Sequence, residues 1–242
     1  MIVYANGCSH TAAAEAVVPD CFAVDNGRHG IDRRPHPVNL AASWCTHVAT
    51  ALQADLVCDA ESGGSNARTL RTTRDWIAQN HNQLQDTLLI IQWTTWERQE
   101  WLHQGRWYQV NASGRDWIPQ SLKKRYSEYI ASIDWHTATQ QAHQDIWQFK
   151  LELDAKNIQY LFFSGHSTFS DISDQKNWGH TYMHPYLREG SYHNWLVNNG
   201  GTYANPKSYH FDAKSHRLWA NHVLQYLYRN QIVDPNREIS TD

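Results

Sequence analysis

The residues best suited to chemistry are Ser9, in Asn6-Gly7-Cys8-Ser9-His10-Thr11, and His210, in Tyr209-His210-Phe211-Asp212. A serine just past a strand and close behind a glycine can sit in a tight turn, hydroxyl exposed and its own N–H free to donate. Such a hydroxyl becomes a nucleophile when a histidine takes its proton. The plain alternative is a turn or helix cap, a common use of serine. A third stretch, Glu61-Ser62-Gly63-Gly64-Ser65-Asn66, brings glycines to a helix start. Backbone N–H groups and the helix dipole favour a developing negative charge there. An αL turn followed by a cap is the alternative, and the GxxxxGK(S/T) pattern of a phosphate loop is missing. The chain has 15 histidines, so none of them carries weight alone.

These residues need elements to hold them. Short apolar runs alternate with helical patterns, the signature of an α/β domain with a parallel sheet. Strands are predicted at 2–5, 55–60, 87–93 and 158–163, the third (TLLIIQW) being the near-continuous run of a strand covered on both faces. Helices are predicted over 39–53, where Leu40, Trp44, Val48 and Leu52 share a face, over 66–80, over about 120–155 in one or two pieces, and over about 213–229. Residues 11–38 read as a long loop. The alternation breaks at about 94–118, where a hairpin turns near Gln104-Gly105, and again over 164–209, a connection long enough to carry function. No linker divides the chain, so residues 1–242 are expected to form one domain with these two insertions. Ligands gather at the carboxyl ends of parallel strands, and Ser9, Gly64 and Thr94 all follow strand ends.

Taken together and in this order, GxSxT at 7–11, the Gly-Ser-Asn turn at 64–66 and the histidine before the last helix resemble the SGNH/GDSL hydrolase family. The resemblance spans nearly the whole chain, although each motif is short. It implies a three-layer α/β/α, flavodoxin-like fold with a mostly parallel central sheet. It also implies a serine hydrolase acting on O-acyl esters, an esterase or deacylase. Ser9 would be the nucleophile and His210 the base, with His216 a later helical residue. The Ser9 and Gly64 N–H groups would form the oxyanion hole, less favourably with Gly63 in place of Gly64. Cys8 stands where the family has aspartate in its first block. The aspartate usual three residues before the histidine is Lys207, and the GxND block after the third strand is absent. Asn66 is therefore the first candidate for the third oxyanion donor, against a role as helix cap, with Thr94 and Thr95 behind it. Asp212 would orient His210, or merely cap the last helix and leave a backbone carbonyl to hold the imidazole of a Ser-His dyad. Thr94, Glu97 and Arg98 are expected to line the pocket, although a solvated hairpin base is the blander reading of Glu97 and Arg98.

Other constellations are weaker. Ser164-Gly165-His166 follows a strand but its residues are too close in sequence to assemble as nucleophile and base. His180 and His184 have the spacing of helical metal ligands, but no third ligand accompanies them and Pro185 breaks a helix. No metal or cofactor is expected. Tryptophans 93, 96, 101, 107, 117, 178 and 195 concentrate in and beside the two insertions, where they could stack on a glycan ester or pack the insertions onto the sheet.

Composition narrows the alternatives. The net charge of −3 over 242 residues, without a basic run, argues against a nucleic-acid partner. No apolar run approaches the roughly 20 residues that span a bilayer. The start lacks the basic and apolar regions of a secretory signal, so a cytoplasmic location is expected. The four cysteines form no CxxC pair and are expected to be reduced. Two further readings stand beside the hydrolase. One is an inactive binding or structural module on the same fold. Its virion attachment is suggested by Trp93-Thr94 and Arg98, which resemble a strand end of phage-encoded sequences. The other is a flavodoxin-like nucleotide binder, which would need a phosphate loop.

Overall fold

The structure, a computed structural model, describes residues 1–23, 34–112, 114, 117–205 and 207–233. The middle of the loop expected over 11–38 and a few residues of both insertions lie outside the described residues.

In chain order, β1 (Ile2–Asn6) is followed by α1 (Pro37–Ala41), α2 (Trp44–Ala51), β2 (Asp55–Cys58), α3 (Asn66–Gln79) and β3 (Thr87–Trp93). A hairpin of β4 (Gln99–His103) and β5 (Arg106–Val110) leads into α4 (Lys123–Ala131), α5 (Trp135–Ala155) and β6 (Gln159–Ser164). The chain ends with β7 (Tyr182–Met183), α6 (Tyr192–Asn198), β8 (Tyr203–Asn205), β9 (His210–Phe211) and α7 (Ala213–Arg229). The helix predicted over 39–53 is two helices. Ala42 closes the first, and the Ser43 hydroxyl accepts the Thr46 N–H at 3.1 Å to start the second.

The central sheet is parallel, in the order β2-β1-β3-β6-β7. Its period-2 alternation sorts side chains between two helical layers. Val3, Ala5, Leu88, Ile90, Leu161 and Phe163 pack with Trp44 and Val48 of α2 and with Trp219, Val223 and Leu227 of α7. Tyr4, Leu89, Ile91, Tyr160 and Phe162 pack on the other side with Ile77 of α3 and Ile146, Phe149 and Leu153 of α5. This is a three-layer α/β/α fold, and all seven residues of β3 are buried at its centre. Burial of each large apolar side chain contributes about 1.5–3 kcal/mol, which fixes the strand register that aims the strand ends. Among the described residues no helix is long and apolar enough to cross a membrane.

From β1 the chain passes to β2 on one side and then to β3 on the other. The order reverses between β1 and β3, and a crevice opens at the carboxyl ends of strands at such a point. Ser9 and Thr94 lie just past those two ends. The long connection after β6 adds an edge strand, β7, that its sequence does not reveal, together with α6 and the small antiparallel ribbon β8–β9. The ribbon delivers His210.

Most of the tryptophans pack rather than stack on ligand. Trp93, Trp96, Trp101 and Trp178 are buried. Trp96 lies flat on Phe169, with centroids 4.7 Å apart, and Phe169 continues the stack to Trp178. Trp117 is exposed. His180 and His184 flank β7 instead of sharing a helix, which removes the spacing argument for a metal pair.

Candidate active site

The turn after β1 is held from beneath by a side chain that sequence reasoning missed. Gln92, fully buried near the end of β3, accepts the Cys8 N–H at 3.2 Å and the Thr11 hydroxyl at 3.1 Å through Oε1. Its Nε2 donates to the Trp93 carbonyl at 3.0 Å. The fit excludes side chains at two glycines. A Cβ on Gly7 would lie 2.6 Å from Thr11 Oγ1, and one on Gly165 would lie 2.2 Å from Gln92 Nε2. The signal was a lone glutamine inside an apolar strand, a buried amide that must find partners.

Ser9 sits in this turn, 6% exposed. Its Oγ contacts Cys8 Sγ at 4.0 Å, and among the described residues no hydrogen bond joins it to His210. Its N–H makes no hydrogen bond among the described residues, as an oxyanion donor requires. Catalytic hydrogen bonds commonly form only once substrate is bound.

Beyond Ser9 the chain coils tightly, with Ala13 and Glu15 both in the left-handed region at φ +52° and +62°. Non-glycine residues rarely adopt this conformation, and clusters of them mark functional sites. The bend brings the Glu15 carboxylate to His210, Oε2 to Nδ1 at 2.5 Å. Tyr209, itself at φ +59°, presents His210 from the other side. A carboxylate only accepts, so Nδ1 carries the proton and Nε2 is left as a base. Burial pushes the Glu15 carboxyl up. Hydrogen bonds from Ser208 and His210 more than reverse this, so it lies below the usual range and stays ionised.

This pairing corrects the expected partner of His210. Asp212 caps α7, accepting the Ser215 N–H at 2.8 Å and the Ser215 hydroxyl at 2.7 Å, with Thr202 on its other oxygen. It makes no bond to His210, and the imidazole is held by a carboxylate rather than a backbone carbonyl. His216 is buried in α7, where Nδ1 accepts the Trp44 N–H at 3.3 Å.

Two expected oxyanion donors are engaged elsewhere. The Gly64 N–H donates to the Glu61 carbonyl at 2.8 Å, closing its own turn. Asn66 clamps α3 to the end of β3, its Oδ1 accepting the Thr94 N–H at 2.8 Å and its Nδ2 donating to the Thr94 carbonyl at 3.3 Å. The cap of α3 is Ser65, which accepts the Arg68 N–H. Of the expected pocket residues, Thr94 and Glu97 are buried; Glu97 Oε1 accepts the Thr95 hydroxyl at 3.0 Å. Arg98 reaches back to the Gly64 carbonyl at 3.4 Å and, with Asn66, lines a cavity of about 460 Å³.

The crevice also gathers further histidines, His10 beside Ser9, His166 past the end of β6, and His193. His10 Nε2 lies 2.6 Å from His166 Nε2, the His166 and His193 rings stand 4.4 Å apart, and the His10 ring is 5.8 Å from that of His210. Burial drives His10 well below the usual imidazole range, helped by the charges of His166, His210 and Arg98. His166 is pushed down to about 3, again by burial first and then by His193 and Arg98. Burial likewise lowers His216 to about 3 and His222 to about 4.

These shifts carry a stability prediction. An unfolded imidazole takes up its proton near pH 6.5, whereas these folded ones resist protonation until about 3 or 4. Their contribution is complete above the unfolded value and is lost as pH falls toward the folded one, at about 1.4 kcal/mol per unit for each histidine. The thermal midpoint is expected to drop steeply between about pH 6.5 and 4.5, with a shallower fall in His216→Gln. A midpoint flat across that range, measured by calorimetry, would contradict the neutral cluster.

No curated protein matches the sequence. A structure of the psychrotrophic esterase EstA from Pseudoalteromonas sp., inhibited by monoethylphosphonate, aligns over 94% of this chain and 97% of that one, with 8% identity and a TM-score of 0.48. The model of a family of unknown function matches residues 31–181, leaving Ser9, Glu15 and His210 outside the matched span. That span is well over half of the chain, and the protein belongs to this family of unknown function, DUF6071.

Proposed function

We propose that the protein is a serine hydrolase that cleaves O-acyl esters, with Ser9 as nucleophile, His210 as base and Glu15 as the carboxylate that positions the base. The observation that carries this reading is the 2.5 Å pairing of Glu15 with His210 Nδ1, made by the same loop that begins with Ser9. With the proton held on Nδ1, Nε2 takes the Ser9 proton as Oγ adds to the ester carbonyl. The Ser9 N–H faces the resulting oxyanion. Collapse of the tetrahedral adduct breaks the C–O bond, and the imidazolium returns its proton to the leaving alcohol. Water then repeats the sequence on the acyl-serine and releases the acid. Four of the tryptophans that suggested a stacked sugar are buried, which favours a small-molecule ester over a glycan.

A second reading, a binding module that has kept a hydrolase fold, is favoured by the engaged Gly64 N–H and Asn66 amide. A fluorophosphonate probe separates the two. The expected result is a single adduct on the Ser9 peptide by mass spectrometry, formed more slowly in His210→Ala. A folded wild type with no adduct at Ser9, or equal labelling of Ser9→Ala, would overturn the hydrolase reading in favour of the module.

A further inference from the structure

Among the described residues, Arg98 is the one arginine that is not exposed and has no acid paired with it. Arg68 pairs with Glu61 at 2.8 Å, Arg71 with Glu100 at 2.8 Å and Arg74 with Glu152 at 2.7 Å. Among the described residues Arg98 has no carboxylate partner, although Glu97 is its chain neighbour. Among the described residues its guanidinium makes one hydrogen bond, from Nη1 to the Gly64 carbonyl, long at 3.4 Å, and its buried Nε has no partner. A half-buried guanidinium whose Nε is sealed from water without a partner is costly to keep, and one way to satisfy it is a ligand.

The surroundings fit that ligand. Arg98 stands between two spaces. On one side the Gly64 turn that it touches packs on the turn that holds Ser9, where a Cβ on Gly64 would lie 3.4 Å from the Gly7 carbonyl, with the His10, His166, His193 and His210 imidazoles grouped beyond. On the other it lines the cavity of about 460 Å³ with Asn66, Leu70, Trp96 and Tyr129. That volume suits a small organic molecule. The buried Trp96 Nε1 also lacks a partner. Asp134 and Asp145 line the same cavity. Asp134 caps α5 through the His136 N–H at 3.0 Å, and Asp145 accepts from Gln141 at 2.9 Å. An anion is therefore favoured at the Arg98 end and disfavoured toward α5.

We infer that the ester taken by this site is anionic, its carboxylate or phosphate group gripped by Arg98 in the cavity beside Asn66 and Trp96. The inference rests on the serine-hydrolase reading for its reaction, but not for its anion. The guanidinium fork matches either oxyanion through two parallel N–H donors, which a lysine ammonium cannot reproduce.

The test compares a succinate half-ester with its neutral methyl-capped diester, and a phosphate-bearing ester with the same ester lacking phosphate. Wild type is expected to prefer one charged member over its neutral partner by about 10- to 100-fold in kcat/KM, the range of a charge-assisted hydrogen bond. Which pair shows the preference identifies the anion. The ratio should fall to near one in Arg98→Gln and recover in part in Arg98→Lys, each checked for a thermal midpoint near that of wild type. A Ser9 that labels with fluorophosphonate beside a wild-type ratio near one overturns the anion and leaves the hydrolase. Binding is read separately by calorimetry with inorganic phosphate and with succinate. Should Ser9 fail to label while Arg98→Gln weakens one of these at least tenfold, the hydrolase falls and the anion site stands. Neither ion binding to wild type overturns the anion site outright.

Discussion

Ser9→Ala is expected to lower kcat/KM for a small activated ester by about a thousandfold or more, to the level left by binding and the oxyanion donor alone. Ser9 is small, its Oγ makes one hydrogen bond among the described residues, a long one of 4.0 Å to Cys8 Sγ, and its backbone N–H is unaffected by the change. Alanine removes the oxygen without opening a cavity of any size, so the thermal midpoint should move little. Steady-state kinetics and calorimetry on one preparation check both halves. Activity within tenfold of wild type would mean that the hydroxyl is a turn feature and that any hydrolysis arises elsewhere in the crevice, with His10 and His166 the next residues to replace.

The parts of the fold that a single sequence reveals are those with strong periodicity. TLLIIQW reads as a strand covered on both faces because nothing polar interrupts its residues 88–91, and α7 reads as a helix because Leu218, Trp219, Val223 and Leu227 recur along one face. β7 escapes because two residues, Tyr182 and Met183, have no period; their strand character comes from pairing with Phe162 and Phe163. Ser43 divides the helix expected over 39–53 because its hydroxyl offers the next N–H groups a cap, a local competition that a spacing of apolar residues cannot register.

The candidate site divides the same way. Ser9 and His210 are readable from motif order because one follows the first strand and the other precedes the last helix. Glu15 is not, because it reaches His210 through left-handed backbone at Ala13 and at Glu15 itself, and the run Ala12-Ala13-Ala14 before it carries no turn signal. The position where the resemblance expects an aspartate is Lys207, and the carboxylate arrives from the opposite end of the sequence. Asp212 is close to His210 in sequence, while its neighbours Thr202 and Ser215 hold it as a cap. Residue type singles out Gly64 and Asn66, and what decides their roles is the acceptor each N–H has already found.

Glu15→Gln separates these carboxylates. Glutamine keeps the size of the side chain, but its amide N–H can donate to His210 Nδ1 and so favour the tautomer whose Nε2 is already protonated. A base in that state cannot take the Ser9 proton, and kcat is expected to fall by about 10²- to 10⁴-fold with KM little changed. Ground-state contacts with substrate are untouched, which is why the loss should sit in kcat. Glu15→Asp should restore part of it, because a carboxylate that reaches Nδ1 imperfectly still selects the right tautomer. The stability effect has a definite sign as well. A folded carboxyl held below its unfolded value stabilises the protein above that value and loses the contribution as pH falls through the folded one. Glu15→Gln should therefore lower the thermal midpoint slightly at neutral pH and bring it back toward wild type in acid. Asp212→Asn is the control: asparagine caps a helix nearly as well as aspartate, so neither turnover nor midpoint should change much. If instead Asp212→Asn costs turnover while Glu15→Gln leaves kcat within threefold of wild type, the orienting carboxylate is Asp212, and the Glu15–His210 contact only closes the loop.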